Sequence, residues 1–293
     1  MLALLDVELR RALSRRLVRF TALFAVLGIT VAALIVFFRT SDEVSSTVFR
    51  PPPEAIEDCM RFEFQGLPDE ESRQRCEQQM TFTDVRDRRF HLSELKDTFG
   101  GMIVPLVIVA WLIGASLIGA EWRAGTMTTM LTWEPRRVRV MAMKAVAVVV
   151  VGIAFFLVVQ AFLGLALLPS ALFHGTTDNF DLLDNVRFLL RGALLAGVGA
   201  MIGFSLGSIG KNATLAMAAG FIYLAVLEGG LLGGFFPGIR RWLIVGNAVV
   251  LMTGIDPEVS GRGQVGAAVL LLIYGVGAVA LATIVARTRD VTA

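Results

Sequence analysis

Charge is what this chain has least of. Only 18% of its 293 residues are Asp, Glu, Lys or Arg, against about 25% in an ordinary soluble domain. Cysteine is nearly absent too, with only Cys59 and Cys76. No Cys-x-x-Cys spacing exists, which excludes a dithiol redox site. The two histidines, His91 and His174, stand far apart without metal-ligand neighbours at useful spacing, which argues against a zinc site. Both read as plain surface residues. No catalytic triad or zincin signature is present, and Gly210-Lys211-Asn212 lacks the upstream glycine and the Ser/Thr of a phosphate-binding loop. The chain therefore carries no ATPase of its own. A net charge of only +2 gives no support to nucleic-acid binding.

What the chain has instead is apolar text in blocks. Hydrophobic residues make up 55% of it, and runs of roughly 18 or more read as helices crossing a bilayer. The expected architecture is an all-α integral membrane protein with six spans: Phe20–Phe38, Gly100–Ala120, Ala145–Leu168, Phe188–Ile209, Ala213–Gly234 and Val265–Ala286. The run Trp242–Met252 is too short to cross and reads as a short outer, interfacial or re-entrant helix. Residues 1–19, the loop 121–144, Lys211 and the tail 287–293 hold thirteen Lys/Arg against five Asp/Glu, whereas 39–99 holds nine against fourteen. The positive-inside rule places the first set, with both termini, in the cytosol and 39–99 outside.

The N-terminus spaces Leu2, Leu5, Leu9, Leu13 and Leu17 helically, with Arg10, Arg11, Arg15 and Arg19 around the rest of the wheel. Such a helix lies in the membrane interface. It has no small-residue cleavage site, so the first span serves as an uncleaved anchor. The outer segment 39–99 opens on Pro51-Pro52-Pro53, a stiff extended stretch, and has the size of a small capped module. Its cysteines suit a structural disulfide in an oxidising compartment, the alternative being two free thiols. Gly199, Gly203 and Gly207 form a small-residue ladder for close helix packing in lipid. Glu228 is the clearest charge at membrane depth. It can pair with Arg187 or Arg191 at the outer start of the fourth span, face a substrate, or snorkel to the interface.

The most informative text is the polar insert between the second and third spans. Glu121, Gly125-Thr126, Leu131, Pro135, Arg137 and Lys144 follow one another in an order that resembles the permease subunits of ABC type-2 exporters. Those share a glutamate at the membrane exit, a Gly-Thr, an apolar helical stretch, a proline followed by arginine, and a lysine opening the next span. Thr132-Trp133 and the extra Arg136 and Arg139 depart from that pattern. The interfacial N-terminal helix, six spans, long first loop and short outer helix extend the resemblance over the architecture.

The resemblance implies that the insert is a coupling helix docking on a separate ATP-binding subunit, which binds ATP and Mg; this chain needs no cofactor or metal. Glu121, Arg123, Glu134, Arg136 and Arg137 would form a charged rim around Met127, Met130 and Leu131, the arrangement a docking patch needs. It further implies pairing with a second permease chain, identical or related, in the plasma or bacterial inner membrane. The second and fifth spans would line the pathway, offering Met102, Ile113, Phe221, Leu224 and Glu228. Their mainly apolar surface suits a hydrophobic or amphiphilic cargo. The other readings are a self-contained secondary transporter or channel, which needs mid-depth charges or broken helices, and a non-transporting membrane sensor.

Overall fold

In hydrocarbon, an apolar run satisfies all its own N–H and C=O groups by becoming a helix, and the computed structural model is built from such helices. It describes residues 10–11, 14–49, 51–62, 68–133, 136–176, 180–228, 237–256 and 261–288. Helix α1 (Arg16–Arg39) leads to a small module. In it strand β1 (Val44–Phe49), helices α2 (Pro53–Phe62) and α3 (Asp69–Met80), and strands β2 (Phe82–Asp87) and β3 (Phe90–His91) follow in order. After a short 3₁₀ turn come α4 (Leu95–Arg123), α5 (Thr126–Trp133), α6 (Arg137–His174), β4 (Gly175–Thr176) and α7 (Leu182–Gly210). Last are α8 (Ala213–Tyr223), which runs into a π-helical turn at Leu224–Glu228, α9 (Pro237–Arg240), α10 (Ile244–Thr253) and α11 (Gln264–Thr288).

Among the described residues five helices, α1, α4, α6, α7 and α11, are long and apolar enough to cross a membrane. The expected fifth span, Ala213–Gly234, is described as far as Glu228. Ala213 to Glu228 is 16 residues of helix and π-turn, or about 24 Å at 1.5 Å per residue, short of a bilayer core of about 30 Å. The rest of that expected span, Gly229–Gly234, lies outside the described residues, as do Leu2, Leu5, Leu9 and Leu13 of the expected interfacial helix. Helix α6 exceeds its expected span. Its 38 residues reach about 57 Å, so the apolar stretch Ala145–Leu168 forms only its middle. The expected short helix Trp242–Met252 corresponds to α10.

The core lies along the seam between α4 and α7, where Ala110, Ile113, Ala115, Ala196, Ala200 and Phe204 are almost fully buried. Small residues let two backbones meet here. A Cβ at Gly199 would stand 3.0 Å from the Val107 carbonyl oxygen, one at Gly207 2.8 Å from that of Ala115, and one at Gly203 would collide with that of Trp111. Helix α1 packs chiefly on α6, and α11 on α7 and α10. The outer faces of α1 and α11 expose Leu23, Phe24, Leu27, Ile273 and Val276, surfaces suited to lipid.

The module is not wholly helical. Val44-Ser-Ser-Thr-Val-Phe49 is rich in β-branched residues, which fit a pleated strand. It pairs antiparallel with Phe82–Asp87 from Val44↔Asp87 to Phe49↔Phe82. Of the expected stiff proline stretch, Pro53 instead opens α2, where its missing N–H costs nothing. Cys59 on α2 and Cys76 on α3 form a disulfide with Cα atoms 6.1 Å apart, and Cys76 is fully buried. A parallel pairing of β3 with β4 ties the module to the end of α6. The histidines take part as well: His174 Nδ1 lies 3.4 Å from Asp42 and His91 Nε2 3.3 Å from Asp87.

The bridge gives a direct prediction. Closing a loop of 17 residues' separation stabilises the module by about 3 kcal/mol in the chain-entropy model. Cys59→Ser/Cys76→Ser should therefore leave α4–α7 packing intact while limited proteolysis cuts 50–87 far faster. Equal protease resistance of the two proteins would show that the bridge adds nothing.

Candidate functional site

Antiparallel helices joined by a short connection put the last turn of one beside the first turns of the next. The connection between α4 and α6 does this with charges. Glu121, in the last turn of α4, meets Lys144, two turns into α6, with Lys144 Nζ 2.7 Å from the Glu121 carboxylate. Both are buried, Glu121 at 7% exposure and Lys144 at 3%. Arg11 approaches the same carboxylate at 3.8 Å, and Arg15 donates to the Ser116 carbonyl at 3.4 Å. The segment before α1 is thus fastened to the end of α4. Arg11, Leu117, Ile118, Glu121, Lys144 and Phe204 help line a cavity of about 20 Å³, room for a single water.

Two paired charges in so dry a place are held by geometry more than by net attraction, because desolvation offsets much of the Coulomb gain. What the pair supplies is a fixed angle between α4 and α6. The turn itself is set by Gly125 in the left-handed region at φ 66°, the usual residue just past a helix end. Its N–H donates to the Trp122 carbonyl at 3.3 Å. The Thr126 hydroxyl donates to the Glu121 carbonyl at 3.3 Å, so α5 starts against the end of α4.

The expected rim therefore divides. Glu121 stands inside the bundle and not on the surface, and Met127, expected at the apolar centre, is itself buried at 2%. Arg137 Nη1 donates to the carbonyls of Ala286 at 3.3 Å and Arg287 at 3.5 Å. It thus satisfies the end of α11, where a cation suits the helix dipole. Arg123, Thr126 and Arg136 are exposed, and Met130 is half-buried. Leu131 lies on α5, its side chain outside the described ones, and Glu134 and Pro135 fall outside the described residues.

Lys144 and Arg11 were not among the residues expected to act, although the sequence holds a signal for the first. Glu121 and Lys144 are opposite charges at equal distances from the middle of one loop, so a helical hairpin must bring them to one depth. Nothing in the sequence brings Arg11 to them. Lys211, in a left-handed conformation after α7, places its ammonium 5.0 Å from the Trp122 ring centre, a cation–π contact that sequence reading also missed.

The expected pathway residues differ in exposure. Ile113 is fully buried between helices, and Met102 packs against the core. Phe221 is half-exposed and meets Trp111 edge-on with ring centres 5.5 Å apart. Leu224 and Glu228 lie in the π-turn. Glu228 lies against the first turn of α10. Its Oε1 accepts from the Tyr223 hydroxyl at 2.9 Å and from the Val245 N–H at 2.8 Å. Among the described residues no cluster of three His, Cys, Asp or Glu is arranged to hold a metal.

The bundle, the charged hairpin and its buried clasp define a multi-pass membrane protein with a specialised end. A family model described as "ABC-2 family transporter protein" matches residues 2–237, and the chain belongs to that family. Its members are transmembrane components of ABC transport and not catalysts themselves. No curated protein matches the chain.

Gly125 provides a test of the hairpin. A leucine in the left-handed region costs roughly 1–2 kcal/mol, and the left-handed cap would unwind to avoid it. Gly125→Leu should change protease access around Thr126–Arg139 while Gly125→Asn, which tolerates that conformation, leaves it unchanged. Identical digestion of all three proteins would show that the turn imposes no such constraint.

Proposed function

We propose that this chain is the permease subunit of an ATP-driven ABC exporter for a hydrophobic or amphiphilic cargo. A separate ATP-binding subunit holds ATP and Mg and docks on the α4–α5–α6 hairpin. Two permease chains, identical or related, enclose the pathway in the plasma or bacterial inner membrane. Both termini and the hairpin face the cytosol, and the disulfide module faces outside.

The observation that carries this reading is the hairpin with its buried Glu121–Lys144 pair, in a chain matched to the family over 2–237. A docking element must transmit force without bending at its root. A clasp that fixes α4 against α6, with Arg137 joining the hairpin to α11, makes the loop one stiff lever on three helices. The orientation rests on the charge bias, +8 for the hairpin side and −5 for the module. The apolar character of Phe221 and the surrounding spans supports the cargo class.

The exposed arginines separate docking from folding. Arg123→Glu/Arg136→Glu reverses two exposed surface charges, and rim charges govern association more than stability. In proteoliposomes with its ATP-binding partner subunit, this variant should lose most substrate-stimulated ATPase activity with its thermal unfolding unchanged. Arg137→Glu should lose both. Full activity and normal complex yield in both variants would remove the hairpin from the coupling path.

A further inference from the structure

An acid inside an apolar segment is costly and persists where it has a task, and π-helical turns occur often at functional positions. Glu228 combines the two. The π-turn Leu224–Glu228 carries the carboxylate round to the same side as Tyr223, five residues earlier. Together they meet the first turn of α10, where four N–H groups have no partner within the helix. The Ile244 N–H donates to the Tyr223 oxygen at 3.1 Å and the Val245 N–H to Glu228 at 2.8 Å, while the Tyr223 hydroxyl donates to Glu228 at 2.9 Å. A carboxylate at a helix N-terminus is also favoured by the helix dipole.

The other side of α10 is held differently. It packs along α11, Tyr274 of α11 donates to the Trp242 carbonyl at 2.8 Å, and Arg262 stacks over the Trp242 ring at 4.4 Å. Arg262 also donates to Asn247 at 3.1 Å, and Arg191 of α7 reaches the Met252 carbonyl at 3.5 Å. So α10 is built into the α7–α11 side, while among the described residues its hydrogen bonds to the α8 segment run through Tyr223 and Glu228. Helix α8 meets α4 at a glycine: Gly220 leaves room for the Trp111 ring, and a Cβ there would collide with it.

We propose that Tyr223 and Glu228 form a latch that fastens α8 to the first turn of α10 and closes the bundle end opposite the Glu121 hairpin. Resting on the permease reading, this assigns the two as positioning residues: α8 and α10 separate at that end by breaking two hydrogen bonds, from the Ile244 N–H to Tyr223 and from the Val245 N–H to Glu228, while the α10–α11 packing persists. The latch suits such a duty because its bonds are few and directional.

The test uses the full chain in nanodiscs and needs neither cargo nor partner, so its failure is distinct from failure of the permease reading. Ile244→Cys reports opening, since that side chain packs against the core while its N–H bonds Tyr223, and the native cysteines are bridged. It should react slowly with a membrane-impermeant maleimide. Adding Glu228→Leu should speed labelling about tenfold, the scale of losing a hydrogen bond to a charged group. Adding Glu228→Gln, which keeps an acceptor, should fall between, and Tyr223→Phe should speed it about threefold. Hydrogen exchange should rise in the first turn of α10 and stay unchanged along the α4–α7 seam. Unchanged labelling in Tyr223→Phe, which keeps the ring and carries the test should Glu228→Leu not fold, would overturn the latch. So would exchange that rises equally along α4 and α7, since the pair would then be a general stabiliser.

Discussion

Lys144→Met should destabilise the folded chain by about 3–5 kcal/mol, the usual result of removing one partner from a buried ion pair. The argument is one of desolvation. Glu121 and Lys144 lie 2.7 Å apart with side chains 8% and 4% exposed, so neither charge recovers much hydration when the other is lost. The nearby Arg11, at 3.8 Å and 42% exposed, moderates the loss but stands farther off and wetter. Glu121→Gln should be costly for the mirror-image reason. The double variant Glu121→Gln/Lys144→Met should recover most of the loss, because exchanging a whole buried pair for neutral groups is often close to neutral. Thermal unfolding of the four detergent-purified proteins closes the double-mutant cycle. A strictly additive double variant would show that the two charges do not depend on each other. If the hairpin is the lever proposed above, the double variant should fold well and still couple poorly, its hinge having lost the directional bond.

How much of this could be read from the sequence depended on whether local text or tertiary contact decides a position. Spans α1, α4, α6, α7 and α11 were legible because hydrocarbon leaves a long apolar run no alternative to helix. The π-turn that follows α8 was not. Its text stays apolar past Tyr223, and only the packing of Glu228 against α10 shows why the chain leaves the α-helical path there. Gly125 was legible as a turn, because a left-handed residue after a helix end favours glycine. The place of Glu121 was legible only in part, since a charge at a membrane exit meets little water but shows no partner until the lysine two dozen residues on is placed beside it. Arg137 was expected at the docking rim, and its grip on the end of α11 joins positions about 150 apart, beyond any local pattern. The β1–β2 ladder of the module was missed for the same reason: Val44–Phe49 and Phe82–Asp87 pair across two intervening helices.

Gly203→Leu should abolish folding outright, with the yield of monodisperse protein falling at least tenfold. On α7, Gly199, Gly203 and Gly207 face Val107, Trp111 and Ala115 of α4, and Gly114 of α4 faces Ala200 and Phe204 in return. The two helices thus touch backbone to backbone, the arrangement small residues permit in lipid, where apolar surfaces gain nothing by leaving solvent. A side chain at Gly203 would strike the Trp111 carbonyl and indole, and a carbonyl fixed in a helix cannot swing aside. The helices would have to part along the seam that holds the core, a larger disturbance than the 1–3 kcal/mol typical of overpacking. Intrinsic propensity argues the other way, because leucine favours helix over glycine by roughly 1 kcal/mol. The control isolates the contact. Gly277 on α11 and Gly28 on α1 have nothing within 4 Å of an added Cβ, so Gly277→Leu and Gly28→Leu should fold as well as the parent chain or better. Fluorescence-detected size exclusion of the four proteins measures the difference. Equal yields for Gly203→Leu and Gly277→Leu would mean that the α4–α7 seam is loose enough to admit a side chain, and that the hairpin at its end has no rigid base.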